Sequence, residues 1–403
     1  MLIRNNLIQD DNKHLLIYLY FSILIISSLF SPLICFIMGM LTLFLLSPFM
    51  KIGLIRVFTV SLVFFQLLVI FASRNYYDEL SSDLDVYYGV YHIVNNDIKS
   101  GLSFFGGGLE IGWSLLYWVV GRFLTLEPIQ LALVNSIISF LLIFIWMENI
   151  VIPNVNRNER GIMYFFFLLF LNIIMLGFLQ RQSLTLGLLL FALTAKKNRT
   201  LVFLVFIASL IHLSSIPIGI IIYLSKNITF TPKKILYLII VFFILRLAMV
   251  PILLTIMSLL SFDVVSHKLQ GFSKTGFNIS TLRYFILYLC LLPFLFKRHT
   301  FENLNEKYLY NYTVLSALSI IAFVGVPLFA DRIFMLALAI YGIFYYKYVY
   351  INNKIIGIVL ALIYLLLFIL EKNNVIGSLA LGDTFWSRYD YWGEDIFYYL
   401  KRL

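Results

Sequence analysis

Charge is what this sequence has least of. Only 12% of its residues are Asp, Glu, Lys or Arg, where soluble domains carry about a quarter. Apolar residues make up 62% and come in long uncharged runs from one end to the other. That excludes an ordinary soluble domain and makes the chain an all-α polytopic integral membrane protein. Cysteine is nearly absent, and both Cys35 and Cys290 lie in apolar runs, so neither a disulfide framework nor a metal site is expected. The first apolar run, from near Leu15, lacks a small-residue cleavage site and is expected to stay as a span. There is no Walker loop, dinucleotide fingerprint, HExxH or GxSxG, which argues against a soluble nucleotide-sugar or ATP site. A net charge of +10 would point to nucleic acid in a soluble protein. Here Lys and Arg gather in short loops between apolar runs, as cytoplasmic anchors do, and no nucleic-acid partner follows.

Against this background one polar stretch stands out, from Arg74 to Glu110. It holds Asp78, Glu79, Asp83, Asp85, Asp97 and Glu110 against Arg74 and Lys99, so it is acidic within a basic chain. A carboxylate beside a bilayer is costly unless it faces water or a cavity, which makes the stretch a functional candidate.

Topology follows from the basic residues. Spans are expected near Leu15–Ser31, Leu33–Phe49 and Ile55–Ala72, with Lys13, Lys51 and Arg56 inside, which sends the acidic stretch to the outer side. If Ile111–Leu126 also crossed, Arg157 and Arg160 would fall outside. Its Trp113, Trp118 and Arg122 instead suit a helix lying in the outer interface, although an ordinary short span stays open. Ile129–Ile150 then runs inward, Met163–Leu179 outward, and Ser183–Ala195 inward to the basic cluster Lys196–Arg199. Leu201–Leu224 is interrupted by His212–Ser215 and Pro217, and Lys226, Lys233 and Lys234 also want the cytoplasm. Two half-helices with His212 near the tip satisfy both, a single kinked span being the other reading. Ile235–Leu260, then a span that starts at Arg283 and ends before the cytoplasmic cluster Lys297–Lys307, then Tyr312–Phe329, Ile333–Tyr350 and Ile356–Leu370 complete the apolar series, and 371–403 reads as an interfacial tail. The expectation is one transmembrane domain over 1–403, with roughly eleven spans, a broken hairpin, an interfacial helix within an extracytoplasmic segment 74–128, and no internal repeat.

Under this topology the polar groups not needed as cytoplasmic anchors share the outer side: Asp83, Asp85, Glu110, Arg181, His212, Arg283 and Arg332. Outer arginines break the positive-inside pattern, and a guanidinium fork suits phosphate or carboxylate. A carboxylate or imidazole beside them can act as a general base. Each also has a purely structural reading: Arg332 can pair with Asp331, Arg283 can anchor at the interface, and Glu110 can complement a helix dipole. Arg246, deep in an apolar run, is either an ion-pair strut or a phosphate ligand.

The order of short motifs carries a resemblance. Asp85–Tyr88 (Asp-x-x-Tyr), Glu110–Gly112 (Glu-x-Gly), Arg181-Gln182 and His212–Ser215 (His-x-Ser-Ser) resemble the Wzy-type repeat-unit polymerases of the EpsG-like branch. The likeness is clearest from about Tyr76 to Leu224, with Asp331-Arg332-Ile333 looking like that family's late arginine. The resemblance implies a fold like that of GT-C glycosyltransferases and a bacterial inner-membrane enzyme with its active site on the periplasmic or extracellular side. It would join undecaprenyl-diphosphate-linked glycans, as donor and acceptor, into a surface polysaccharide such as O-antigen. Its partners would be the lipid bilayer, a chain-length regulator and a flippase, and it would need neither metal nor cofactor. Asp83, Asp85, Glu110 and His212 are then the catalytic candidates. Arg181, Gln182, Arg283, Arg332 and Tyr88 are the candidates for holding substrate and diphosphate. The matching aspartate stays ambiguous between Asp83 and Asp85. Other classes remain to be separated: a GT-C transferase adding one sugar, an O-antigen ligase, and a polysaccharide transporter or flippase. A transporter should show pseudo-symmetric halves, and the acidic stretch has no counterpart later in the chain.

Overall fold

A computed structural model describes residues 19–72, 83–171, 176–177, 179–259, 304–323, 329–370 and 395–400. Among these the regular structure is entirely helical. In chain order the helices are α1 (Leu19–Phe30), α2 (Pro32–Leu45), α3 (Gly53–Ala72), α4 (Asp83–Asn96), α5 (Ile98–Ser103), α6 (Ile111–Gly121), α7 (Pro128–Trp146) and α8 (Arg160–Phe170). They continue with α9 (Gln180–Thr194), α10 (Asn198–Ile211), α11 (Ser215–Asn227), α12 (Pro232–Leu259), α13 (Leu304–Phe323), α14 (Phe329–Phe344), α15 (Lys354–Leu370) and α16 (Ile396–Leu400). The acidic stretch is thus folded into α4 and α5 from Asp83 onward rather than left as irregular loop.

The chain divides into two compact units. One comprises Met1–Asp78, Val155–Phe165 and Ser387–Leu403; the other comprises Glu79–Asn154 and Phe166–Trp386. In the first, α2 begins at Pro32 behind the Ser31 cap, whose side chain accepts from the Ile34 N–H. The Ser47 hydroxyl then donates to Asn158 O (2.8 Å) and accepts from Ile162 N–H (3.1 Å), holding the α2–α3 turn to the start of α8.

In the second unit α9 is the central helix, buried along most of its length and packed on α7 and α10. Its two ends differ in kind. At the C-terminal end Lys226 Nζ donates to Ala192 O (2.9 Å) and Ala195 O (2.6 Å), capping carbonyls that the last turn leaves open. Trp146 Nε1 donates to Thr194 Oγ1 nearby (3.1 Å). Asn311 closes the end of α11 in the same way, through Ser225 O and Ile228 O. The basic residues Lys196–Arg199 and Lys226 therefore gather at one end of this unit. Arg181 lies at the other end of α9, roughly 20 Å away at 1.5 Å per residue.

Helices α10 and α11 form an antiparallel hairpin. A Cβ built on Gly219 would come within 2.4 Å of Val205 Cγ1, whereas a continuous helix would hold positions fourteen apart at roughly 21 Å. His212, in extended conformation (φ −153°, ψ 120°), breaks the helix at the tip. Ser215 secures the turn, its N–H donating to His212 O (3.0 Å) and its hydroxyl to Ala208 O (3.2 Å). Pro217 falls in the first turn of α11, where a missing N–H costs nothing.

Two of the described helices, Gly53–Ala72 and Pro128–Asn154, are long and apolar enough to cross a membrane. The expected count of roughly eleven spans also draws on 260–303, outside the described residues, where most of the expected interfacial tail (371–394) lies as well. Helix α6 has eleven residues and is roughly 16 Å long, too short for a hydrocarbon core of about 30 Å. Large apolar side chains on α12 (Leu236, Phe243, Leu247) and α15 (Ile355, Ile356, Leu362) are exposed, a pattern that suits lipid rather than water.

Candidate active site

Glu110 is fully buried, and the turn before it explains how a carboxylate gets there. Gly106, Gly107 and Gly108 all have positive φ (61°, 64° and 90°), a conformation that side chains other than glycine's resist. They reverse the chain between α5 and α6 and deliver Glu110 inward at the head of α6. Gly112, two residues on, lies against the end of α10: a Cβ there would stand 3.1 Å from Leu210 C and O. The Glu-x-Gly pattern thus pairs an inward carboxylate with the close approach that brings α10 to it.

Three donors meet that carboxylate. Arg181 Nη1 donates to Oε2 (2.5 Å), while His212 Nδ1 (2.9 Å) and the Leu213 N–H (2.8 Å) share Oε1. Two of the three come from the hairpin tip and the third from the first turn of α9. Successive helical residues point about 100° apart, so Gln180, Arg181 and Gln182 fan out from that turn. Gln182 Nε2 lies 3.5 Å from His212 Nε2. Arg181 Nε donates to Tyr87 OH (3.4 Å), and its guanidinium carbon sits over the rings of Phe105 (4.3 Å) and Tyr87 (5.5 Å). Gln180 turns the other way, accepting at Oε1 from Tyr117 OH (3.3 Å) and Asn135 Nδ2 (3.1 Å).

Burial pushes the Glu110 carboxyl up, but the hydrogen bond from His212 and the charges of Arg181 and His212, with the Leu213 N–H, outweigh it. They hold the group at about 2. An ionised carboxylate only accepts, so His212 Nδ1 carries a proton, and Nε2 is the basic atom whenever the ring is neutral. Arg181 is the most open of the three, its side chain 18% exposed. The arrangement supplies an oriented base, a carboxylate that fixes it, and a guanidinium edge able to meet an anion. Among the described residues no three His, Cys, Asp or Glu side chains come together as a metal site.

Of the residues singled out in the sequence, Glu110, Arg181, Gln182 and His212 meet here. Asp83 is the first residue of α4; Asp85 is exposed in the first turn of that helix. Tyr88 stacks on Tyr91 (6.1 Å) and meets the edge of His92 (4.4 Å), while its neighbour Tyr87 reaches Arg181. Arg332 is in the first turn of α14, with its side chain outside the described set, and Arg283 lies outside the described residues. The sequence reading did not find Tyr87, Phe105, Tyr117 or Asn135. The triple glycine before Glu110 was the one available sign of an inward turn.

No curated protein and no solved structure matches this chain. A family model does, over residues 57–389, and that range takes in every residue of the cluster. Together with the apolar helices, the match makes this a membrane protein. It also points to a glycosyltransferase-like enzyme of polysaccharide synthesis. The chain belongs to the EpsG family.

Proposed function

We propose that this protein polymerises undecaprenyl-diphosphate-linked oligosaccharide repeat units into a surface polysaccharide, at the outer face of the bacterial cytoplasmic membrane. The observation that carries the reading is the Arg181–Glu110–His212 cluster, buried at the end of α9 opposite the basic residues. With Lys196–Arg199 and Lys226 in the cytoplasm, that end faces outward. The multi-pass body would follow the GT-C pattern, α4 to α6 capping a chamber over the spans.

The acceptor sugar's hydroxyl oxygen attacks the anomeric carbon of the growing glycan from the face opposite the diphosphate. The new glycosidic C–O bond forms as the bond from that carbon to the diphosphate oxygen breaks, inverting the centre. The hydroxyl proton passes to His212 Nε2, in place of the long contact to Gln182. Glu110 holds the imidazole in the required tautomer and offsets the imidazolium charge. Arg181 meets the diphosphate and stabilises it as undecaprenyl diphosphate leaves, with Arg283 and Arg332 as proposed companions and no metal needed.

The test is the glycan ladder of cells carrying Arg181→Ala or His212→Ala, with membrane levels of the protein checked by immunoblot. Single repeat units without polymer are expected. Long chains from both variants would overturn the reading. A wild-type product one sugar longer than its precursor would assign a single-sugar transferase instead, and mature units stranded on the cytoplasmic side would assign a flippase.

A further inference from the structure

The first turn of α9 has no side-chain cap: Leu179 precedes Gln180 and its side chain offers no hydrogen-bonding atom. A helix start carrying a reactive guanidinium must be held by something else. What holds it is a buried polar group behind the cluster. Tyr117 (α6), Asn135 (α7) and Gln180 (α9) are each 0% exposed. Asn135 Nδ2 donates to Tyr117 OH (2.9 Å) and Gln180 Oε1 (3.1 Å), and Tyr117 OH donates to the same Gln180 oxygen (3.3 Å).

This group is costly to keep. Gln180 Nε2 and Asn135 Oδ1 are buried without a hydrogen-bond partner, and apolar side chains of the same shape would pack there without that penalty. Its value lies in direction. Helices α6 and α7 grip Gln180 from one side, Glu110 grips Arg181 from the other, and a single peptide bond joins the two. The Tyr117 ring packs on Trp113 (4.6 Å), which packs on Tyr87 (5.2 Å), so a second route of contact runs to the Arg181 guanidinium.

We propose that Tyr117, Asn135 and Gln180 are positioning residues: their hydrogen bonds set the rotation of the α9 start and so aim Arg181 at Glu110. The inference rests on the reading above, in which Arg181 and His212 carry the chemistry. Loosening the network lets Arg181 move off Glu110. The freed carboxylate then favours the protonated form of His212, and the acid limb of the rate profile moves to higher pH. The groups facing that imidazole are Glu110 from the turn before α6, and Arg181 and Gln182 from α9.

The experiment uses full-length protein in liposomes, supplied with lipid-linked repeat units extracted from a polymerase-deficient strain. Tyr117→Phe keeps the ring packing and removes only the hydroxyl, so it carries the test even where Asn135→Ala folds poorly. Expected for both is a fall in kcat of about tenfold, with KM within about twofold and the acid limb shifted upward by about half a pH unit or more. Wild-type kcat, or a lower rate with the limb unmoved, would overturn the proposal and leave the network a structural element. Arg181→Ala and His212→Ala run alongside. Were these to polymerise normally, the functional reading itself would fail; their inactivity beside an unshifted Tyr117→Phe would remove the positioning role alone.

Discussion

His212 Nδ1 stands 2.9 Å from Glu110 Oε1 across 102 positions of sequence, and the same carboxylate holds Arg181 through its other oxygen. One acid therefore gathers donors from two separate elements. Glu110→Gln should remove the charge that fixes the imidazole and leave the partly buried Arg181 without its counter-ion. Polymer formation is expected to fall by roughly a hundredfold or more, and stability by about 3 kcal/mol or more. Adding Arg181→Met should return much of the stability and none of the activity. Thermal unfolding in detergent, paired with the glycan ladder, reads both.

The same carboxylate makes stability depend on pH. Its value falls from 4.5 to about 2 on folding, so the folded chain holds that proton less tightly than the unfolded chain. The stabilisation is complete above about pH 4.5 and is lost as pH drops toward 2. At 1.36 kcal/mol per pKa unit it is on the order of 3 kcal/mol. Unfolding temperatures taken from pH 6 to pH 2 should show the descent in the wild type and a flatter line in Glu110→Gln. Parallel lines for the two proteins would contradict this account of the pairing.

The glycine turn separates two effects that are usually confounded. A Cβ on Gly107 meets nothing within 4 Å, whereas one on Gly106 stands 3.3 Å from Glu110 Cγ. Both residues are left-handed, so Gly107→Ala and Gly106→Ala should each cost about 1–2 kcal/mol in backbone strain. Only Gly106→Ala should also push Glu110 and depress polymerisation beyond what reduced protein level explains. Ladder intensity normalised to membrane protein distinguishes them.

What the sequence made legible was charge out of place. Glu110, Arg181 and His212 stood out because an apolar chain cannot leave such groups unpaired in its interior, and the topology put them on one side. Which of them pair was not legible, since the contacts run across 71 and 102 positions and no local rule reports them. Neutral participants were silent for another reason: Asn135, Tyr117 and Phe105 look like any residue of an apolar helix until a buried partner is known. Tyr87 escaped because one residue on a helix is about 100° of rotation, and the Asp-x-x-Tyr spacing selects its neighbour. Helix ends differ from expectation where a local break intervenes, as in α6, which stops at Gly121 rather than running to Leu126.

The interruption at His212–Ser215 bears the most directly on topology, because a hairpin returns the chain to the side it came from and a kinked span does not. In the hairpin, Val205 and Gly219 face each other with room for no added carbon: Cγ1 of one lies 2.4 Å from the Cβ position of the other. Gly219→Leu should therefore wedge α10 from α11, displace the tip that presents His212 and Leu213 to Glu110, and abolish polymer at a cost of about 1–3 kcal/mol in stability. Gly219→Cys with Val205→Cys, in a protein freed of its two natural cysteines, should cross-link readily under mild oxidation. Disulfide formation needs Cα atoms within about 7 Å, and a continuous helix holds these positions roughly 21 Å apart. Labelling of cysteines placed at Asn198 and Asn227 supplies the second half of the argument. Both should react from the cytoplasmic side, beside Lys197 and Lys226, whereas a single kinked span would expose one on each face and put His212 near the middle of the bilayer.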